Sequence, residues 1–195
     1  VLAAIGWRTI GPGSDSLERG RGDLSRVVQQ LTAELLPADM PAAQVNEAWF
    51  AARLSRALEL RARLVDAPFY QLVHAEADGL PGVVIDRFGD ICVVQPNAAW
   101  AEMNIDALAA ALASVTGVRT ILKNAGGRTR TLEGLDDASG VLLGTAPSEP
   151  VPVPMNGATY MADLTGGQKT GLFFDQRPNH AFAAGLAKDA RVLDV

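Results

Sequence analysis

The stretch "GQKTGLFFDQRPNH", residues 167–180, carries the densest chemistry in the chain. It combines Lys169, Asp175, Gln176 and Arg177 with the rings of Phe173 and Phe174 and with Gly167 and Gly171. A loop that feeds a helix leaves backbone N–H groups without intrahelical partners, and these suit a carboxylate or a phosphate. Asp175 can accept from an ammonium or a hydroxyl. Arg177 can grip a carboxylate with its forked donors, and the aromatic rings can pack on a base. The same residues also admit a purely structural role. Leu172, Phe173 and Phe174 would then fill a core, with Asp175 capping the following helix and Pro178 in its first turn.

Other residue groups invite chemistry and have plainer explanations. "GGQKTG" is not a phosphate loop, because the pattern G-x-x-x-x-G-K-[ST] needs glycine immediately before lysine and Gln168 stands there. Glu76, Asp78 and Asp86 form a carboxylate cluster in sequence, but they flank a turn, so a solvated hairpin end is the simpler expectation. His74 sits in an alternating strand pattern and reads as structural. Cys92, the single cysteine, lies in the apolar run "DICVVQ" and reads as a buried thiol. Arg119, Lys123, Arg128 and Arg130 make a local basic patch around "KNAGGRTR", either a charged loop or a set of RNA phosphate contacts without sequence information.

The elements that position these groups follow from periodicity and punctuation. Residues 1–22 read as loop or linker, and Asp23 caps a possible helix over "LSRVVQQLTAELL". A long helix is expected over 47–65, with Leu54, Ala57, Leu58, Leu64 and Val65 on its apolar side and an arginine-rich solvated face. Within it, Glu59 and Arg63 stand four apart in the favourable order. "YQLVHAEADGLPGVVIDRFGDICVVQP" predicts three strands, with turns at Asp78-Gly79 and Gly89-Asp90. "AAWAEMNIDALAAALASVTG" predicts a helix stopped by Gly117. "VRTILKNA" and "GVLLGTAP" predict two further strands, separated by the polar "GGRTRTLEGLDDAS". After the break at "PSEPVPVP", a hairpin is expected around Asn156-Gly157, then a helix over 178–188 and a strand at "RVLDV". That strand would carry Asp194 at its carboxyl end, where parallel α/β sheets bind ligands.

Bulk properties bound the function. The chain has 195 residues, 48% hydrophobic content and a mean hydropathy of +0.12, which are globular values. No apolar run is long enough for a membrane helix, and one cysteine rules out an intrachain disulfide framework and a cysteine-rich zinc site. A reducing, cytoplasmic compartment fits. A net charge of −5 confines any nucleic-acid contact to a local basic patch.

Three stretches together, "LVHAEADGLPGVVIDRFGD", "GQKTGLFFDQRPN" and "RVLDV", resemble the bacterial S-adenosylmethionine-dependent large-subunit rRNA cytosine-5 methyltransferases and their uncharacterised relatives. The resemblance covers residues 47–195. It implies an α+β fold, with a small mixed domain over 47–148 followed at 149–195 by the start of a Rossmann-like α/β methyltransferase domain. Residues 1–46 would correspond to a divergent or shortened PUA-like region. It also implies that the chain is the leading part of a longer enzyme, with the catalytic cysteines and the glycine-rich cofactor turn beyond Val195. By the same resemblance Lys169, Thr170, Gly171, Phe173, Phe174, Asp175, Gln176, Arg177 and Asp194 line the pocket for S-adenosyl-L-methionine. His180 departs from the arginine often found at its position. Ribosomal RNA is the implied partner, no metal is expected, and a homodimer is compatible. The competing readings are a non-catalytic RNA-binding or assembly module that presents basic loops, and a methyltransferase with a non-RNA acceptor.

Overall fold

The computed structural model describes residues 45–166, 172–187 and 190–193. Its first element is α1, Glu47–Leu64. Asn46 starts it by accepting from the Trp49 N–H at 3.0 Å, which satisfies one of the donors a helix start leaves open. Phe50, Leu54 and Ala57 form its buried stripe. Leu64 lies on the same stripe but in the last turn, and it stays exposed rather than joining the core as expected. The arginine face is not simply solvated. Arg53 lies over the Trp49 ring at 3.5 Å, and Arg61 makes a two-pronged pair with Asp78 at 2.7 and 2.6 Å.

Five strands follow: β1 Phe69–His74, β2 Val83–Phe88, β3 Ile91–Pro96, β4 Thr120–Lys123 and β5 Gly140–Leu143. They form one sheet in the order β1-β2-β3-β4-β5, antiparallel except for the parallel β3–β4 pair. Gly89-Asp90 makes the expected tight turn, since Phe88 pairs directly with Ile91. The β1–β2 connection is not a two-residue turn at Asp78-Gly79. A 3₁₀ turn over Ala75–Asp78 precedes Gly79, which stops it in the left-handed region.

A parallel pair needs a crossover, and the expected single helix supplies it in two pieces. These are α2, Ala99–Met103, and α3, Ile105–Thr116, divided at Asn104, whose side chain donates to the Trp100 carbonyl at 2.7 Å. Gly117 ends α3 in the left-handed conformation, as its position suggested. The polar stretch before β5 folds a short helix, α4, Arg128–Leu132.

A separate hairpin comes next, β6 Val151–Met155 paired with β7 Ala158–Ala162. Asn156 and Gly157 both have positive φ, 53° and 80°, as a two-residue hairpin of this twist requires. A 3₁₀ turn over Phe174–Gln176 leads into α5, Arg177–Leu186, which has proline in its first turn and buries none of its side chains. The expected strand at "RVLDV" is absent over residues 191–193, which carry no strand pairing among the described residues. Without a hydrogen-bonded neighbour an extended segment is not a strand.

The fold class is α+β. The pleat divides its core into two layers. On one side of the sheet Leu72, Ile85, Cys92, Val94 and Ile121 are fully buried with Phe50 and Leu54 of α1 and Leu108 and Leu112 of α3. On the other side Phe88, Val93 and Leu122 share a core with Val153, Met155, Ala162 and Phe174. The second layer crosses the boundary expected near residue 148, because hairpin and sheet bury each other.

Candidate functional site

The turn that opens α5 is seated by two aromatic and polar anchors. Phe174 is buried, and its ring lies 5.3 Å from that of Phe88 on β2. Arg177 donates to the Phe69 carbonyl at the start of β1, and its own carbonyl accepts from the Asn156 amide at 2.8 Å. The Arg177 guanidinium also sits 5.7 Å from the Phe174 ring, and desolvation lowers its pKa. These contacts fix the turn against both the sheet and the hairpin. Phe174 and Arg177 therefore serve as anchors of the turn. The side chain predicted to cap α5, Asp175, does not do so: the capping position is Gln176, and it makes no side-chain cap bond.

The rest of the turn carries a small polar set. Asp175 is exposed and accepts from the Gln176 side-chain amide at 3.1 Å, and the Gln176 Oε1 accepts from the Asn179 side-chain amide at 2.8 Å. The Phe173 ring is half exposed. The Arg177 Nε–H is buried with no acceptor among the described residues. Lys169, Thr170, Gly171 and Asp194 lie outside the described residues.

Beneath the turn lies Asp86, and here the expectation of a solvated hairpin end fails. Asp86 is only 6% exposed. It occupies the row Gln71–Asp86–Val93–Leu122 across the sheet, on the side covered by the hairpin and Phe174. Burial, and secondarily the charge of Asp175, push its carboxyl up to about 7. No hydrogen bond to it is made among the described residues. The missed signal is "VVIDRF" itself. A strand that runs apolar on both faces is covered on both sides, so an acid within it has no solvent face to turn to. Asp78 is likewise engaged, holding Arg61 and accepting from the His74 N–H at 2.6 Å, so the three carboxylates do not form one cluster.

The basic patch divides in the same way. Arg130 is 1% exposed, donates to the Pro96 carbonyl and to Glu102 at 2.9 Å, and cannot meet a phosphate without unfolding its surroundings. Lys123 is tied to the same Glu102 at 2.7 Å. Both are structural, contrary to the RNA-contact expectation, because a buried charge must be paired. Arg119 is 82% exposed in its side chain and pairs with Asp90, while Arg128 is exposed. Only these two of the four are open to a ligand. Cys92 is buried and its thiol is pushed up to about 12, which removes it as a nucleophile. No group of three or more His, Cys, Asp or Glu is placed to hold a metal among the described residues. None of their helices is long and apolar enough to cross a membrane.

No family model matches the chain. It is 35% identical over 154 residues to Ribosomal RNA large subunit methyltransferase I of Vibrio campbellii, covering 77% of this chain and 39% of that protein. The protein of the same name from Aeromonas hydrophila is 37% identical over 150 residues, covering 75% and 38%. The chain thus spans under half the length of these curated relatives. In structure it is similar to a putative SAM-dependent methyltransferase from Streptococcus mutans, with a TM-score of 0.61 and 22% identity over 71% of this chain and 36% of that one. A putative methyltransferase complexed with SAH gives 0.60 and 22% over 71% and 35%. The α+β arrangement described above is therefore one that these two solved structures share, and the sequence is similar to large-subunit rRNA methyltransferases over the greater part of its length.

Proposed function

We propose that this protein is an S-adenosylmethionine-dependent methyltransferase that acts on large-subunit ribosomal RNA, with cytosine C5 as the acceptor. The observation that carries this reading is the sequence likeness to proteins named Ribosomal RNA large subunit methyltransferase I, at 35–37% identity. The cytosine position rests on the resemblance of the "DGLPGVVIDRFGD" and "GQKTGLFFDQRPN" motifs alone.

The turn's remaining groups suit the cofactor chemically. S-adenosylmethionine carries an ammonium, a carboxylate, ribose hydroxyls and a flat base. Asp175, Gln176 and Phe173 offer an acceptor, an amide and a ring to match them. The cofactor supplies an electrophilic methyl on a sulfonium, and the protein's task is to orient and shield it. Phe174 and Arg177 hold the turn in place. Lys169, Thr170, Gly171 and Asp194 are assigned to the pocket on resemblance. Arg119 and Arg128 are the phosphate contacts of the RNA, and no surface among the described residues argues for a homodimer.

The test is transfer of a labelled methyl group to large-subunit rRNA by the full-length protein, followed by nucleoside analysis. Label in 5-methylcytidine is expected. Label in another nucleoside corrects the acceptor. Tight rRNA binding with no transfer and no cofactor affinity overturns the enzyme in favour of a binding module.

A further inference from the structure

Asn156-Gly157 is the one place in the sequence where glycine follows asparagine. Both residues are exposed, and both take positive φ. The space beside Gly157 is open, since a Cβ built there meets nothing within 4 Å. Met155 pairs with Ala158 to close the turn, so the Gly157 N–H lies outside the ladder, and it has no acceptor among the described residues. Among those residues the Asn156 side chain makes one bond, from Nδ2 to the Arg177 carbonyl at 2.8 Å. A free, solvated backbone nitrogen therefore follows a side-chain amide with no Cβ in the way. At Asn46, Asn97, Asn104, Asn124 and Asn179 the next residue is Glu, Ala, Ile, Ala or His, each with a Cβ that crowds the same approach.

We propose that Asn156 is a site of spontaneous deamidation, and that docking of the turn at Phe173–Arg177 controls it. The Gly157 nitrogen attacks Cγ of Asn156. A C–N bond forms, the Cγ–Nδ2 bond breaks, and Nδ2 leaves as ammonia with the proton from the Gly157 nitrogen. Water then opens the cyclic imide at either carbonyl, giving aspartate or isoaspartate. Ring closure swings Cγ onto the Gly157 nitrogen, whereas the bond to Arg177 ties the side chain to the start of α5. The docked state is thus protected, and the reaction proceeds from the fraction of molecules in which the turn has lifted. Loss of the amide makes that lifting permanent. Aspartate sets a carboxylate oxygen against the Arg177 carbonyl, two acceptors where a donor and an acceptor had met. Isoaspartate adds a methylene to the main chain, which a two-residue turn does not accommodate. The modification needs no substrate and is independent of the function proposed above.

The experiment ages the full-length wild type and Arg177→Met at pH 8 and follows residue 156 by peptide mass spectrometry, with a peptide of residues 151–162 as the unfolded reference. Arg177→Met removes the donor to the Phe69 carbonyl and loosens the turn. A lost hydrogen bond of ordinary strength raises the lifted fraction, and with it the rate of deamidation at Asn156, by roughly 5- to 10-fold. Asn156→Asp, made directly, and the aged wild type should both exchange amides faster in the first turn of α5 than the fresh wild type, with exchange in α1 unchanged. The inference is overturned if Asn156 stays intact in both proteins while the peptide converts. Equal rates in the two proteins, or an Asn156→Asp protein that keeps the α5 exchange of the fresh wild type, overturn it as well.

Discussion

Asp86 and Glu102 are both acids withdrawn from water, and their surroundings drive them in opposite directions. Burial would raise Glu102, but hydrogen bonds from Lys123 and Arg130 outweigh it and hold the carboxyl below its ordinary range. Its contribution to stability is present above the usual glutamate value and is lost as pH falls through the lowered one. For Asp86 the sign reverses. The folded protein keeps a proton up to about 7 that the unfolded chain releases near 3.8, so stability declines as pH rises across that window. Asp86→Asn is therefore expected to raise the unfolding temperature at pH 8, by an amount worth on the order of 2–4 kcal/mol, and to change it little at pH 4. A pH series of thermal melts on both proteins checks this. Equal effects at the two pH values would mean that the acid is not held neutral by burial. Glu102→Gln should show the converse trend, destabilising most at neutral pH and least in acid.

At the scale of elements, the turns carry much of the positioning. Gly144 follows β5 with φ of +74°, and a Cβ there would overlap the Arg119 carbonyl oxygen, a backbone atom with no freedom to yield. Gly144→Ala should cost about 2–3 kcal/mol in denaturant unfolding, through strain at both the clash and the positive φ. Asn156 does two things at once: it takes the left-handed turn and its amide holds the carbonyl of Arg177. Asn156→Ala should cost roughly 1–2 kcal/mol and increase amide exchange at the start of α5. A loss confined to the hairpin, with α5 exchange unchanged, would show that the two are not coupled. The strands, the Gly89-Asp90 and Asn156-Gly157 turns and the Gly117 stop were legible because each depends on local backbone preference. The division of the crossover helix at Asn104 was not, because it depends on a side chain reaching the carbonyl of Trp100.

For the molecule as a whole, the decisive feature is the shared core between sheet and hairpin. Phe174 plugs it from the far end of the candidate motif. Phe174→Ala should destabilise by about 3–5 kcal/mol and loosen the hairpin and α5 together, as limited proteolysis between residues 155 and 177 would report. Composition, patterning and turn residues were enough to determine an α+β fold, its five-strand order of appearance, and the motif in which polar and aromatic groups converge. They were enough because alternation, helical period and glycine turns are short-range properties. Which arginine is exposed and which side of "FFDQR" faces inward were decided only in three dimensions. Arg130 looks like a surface charge along the chain. It lies under neighbours far away in sequence, and its burial and pairing are properties of that packing rather than of the residue.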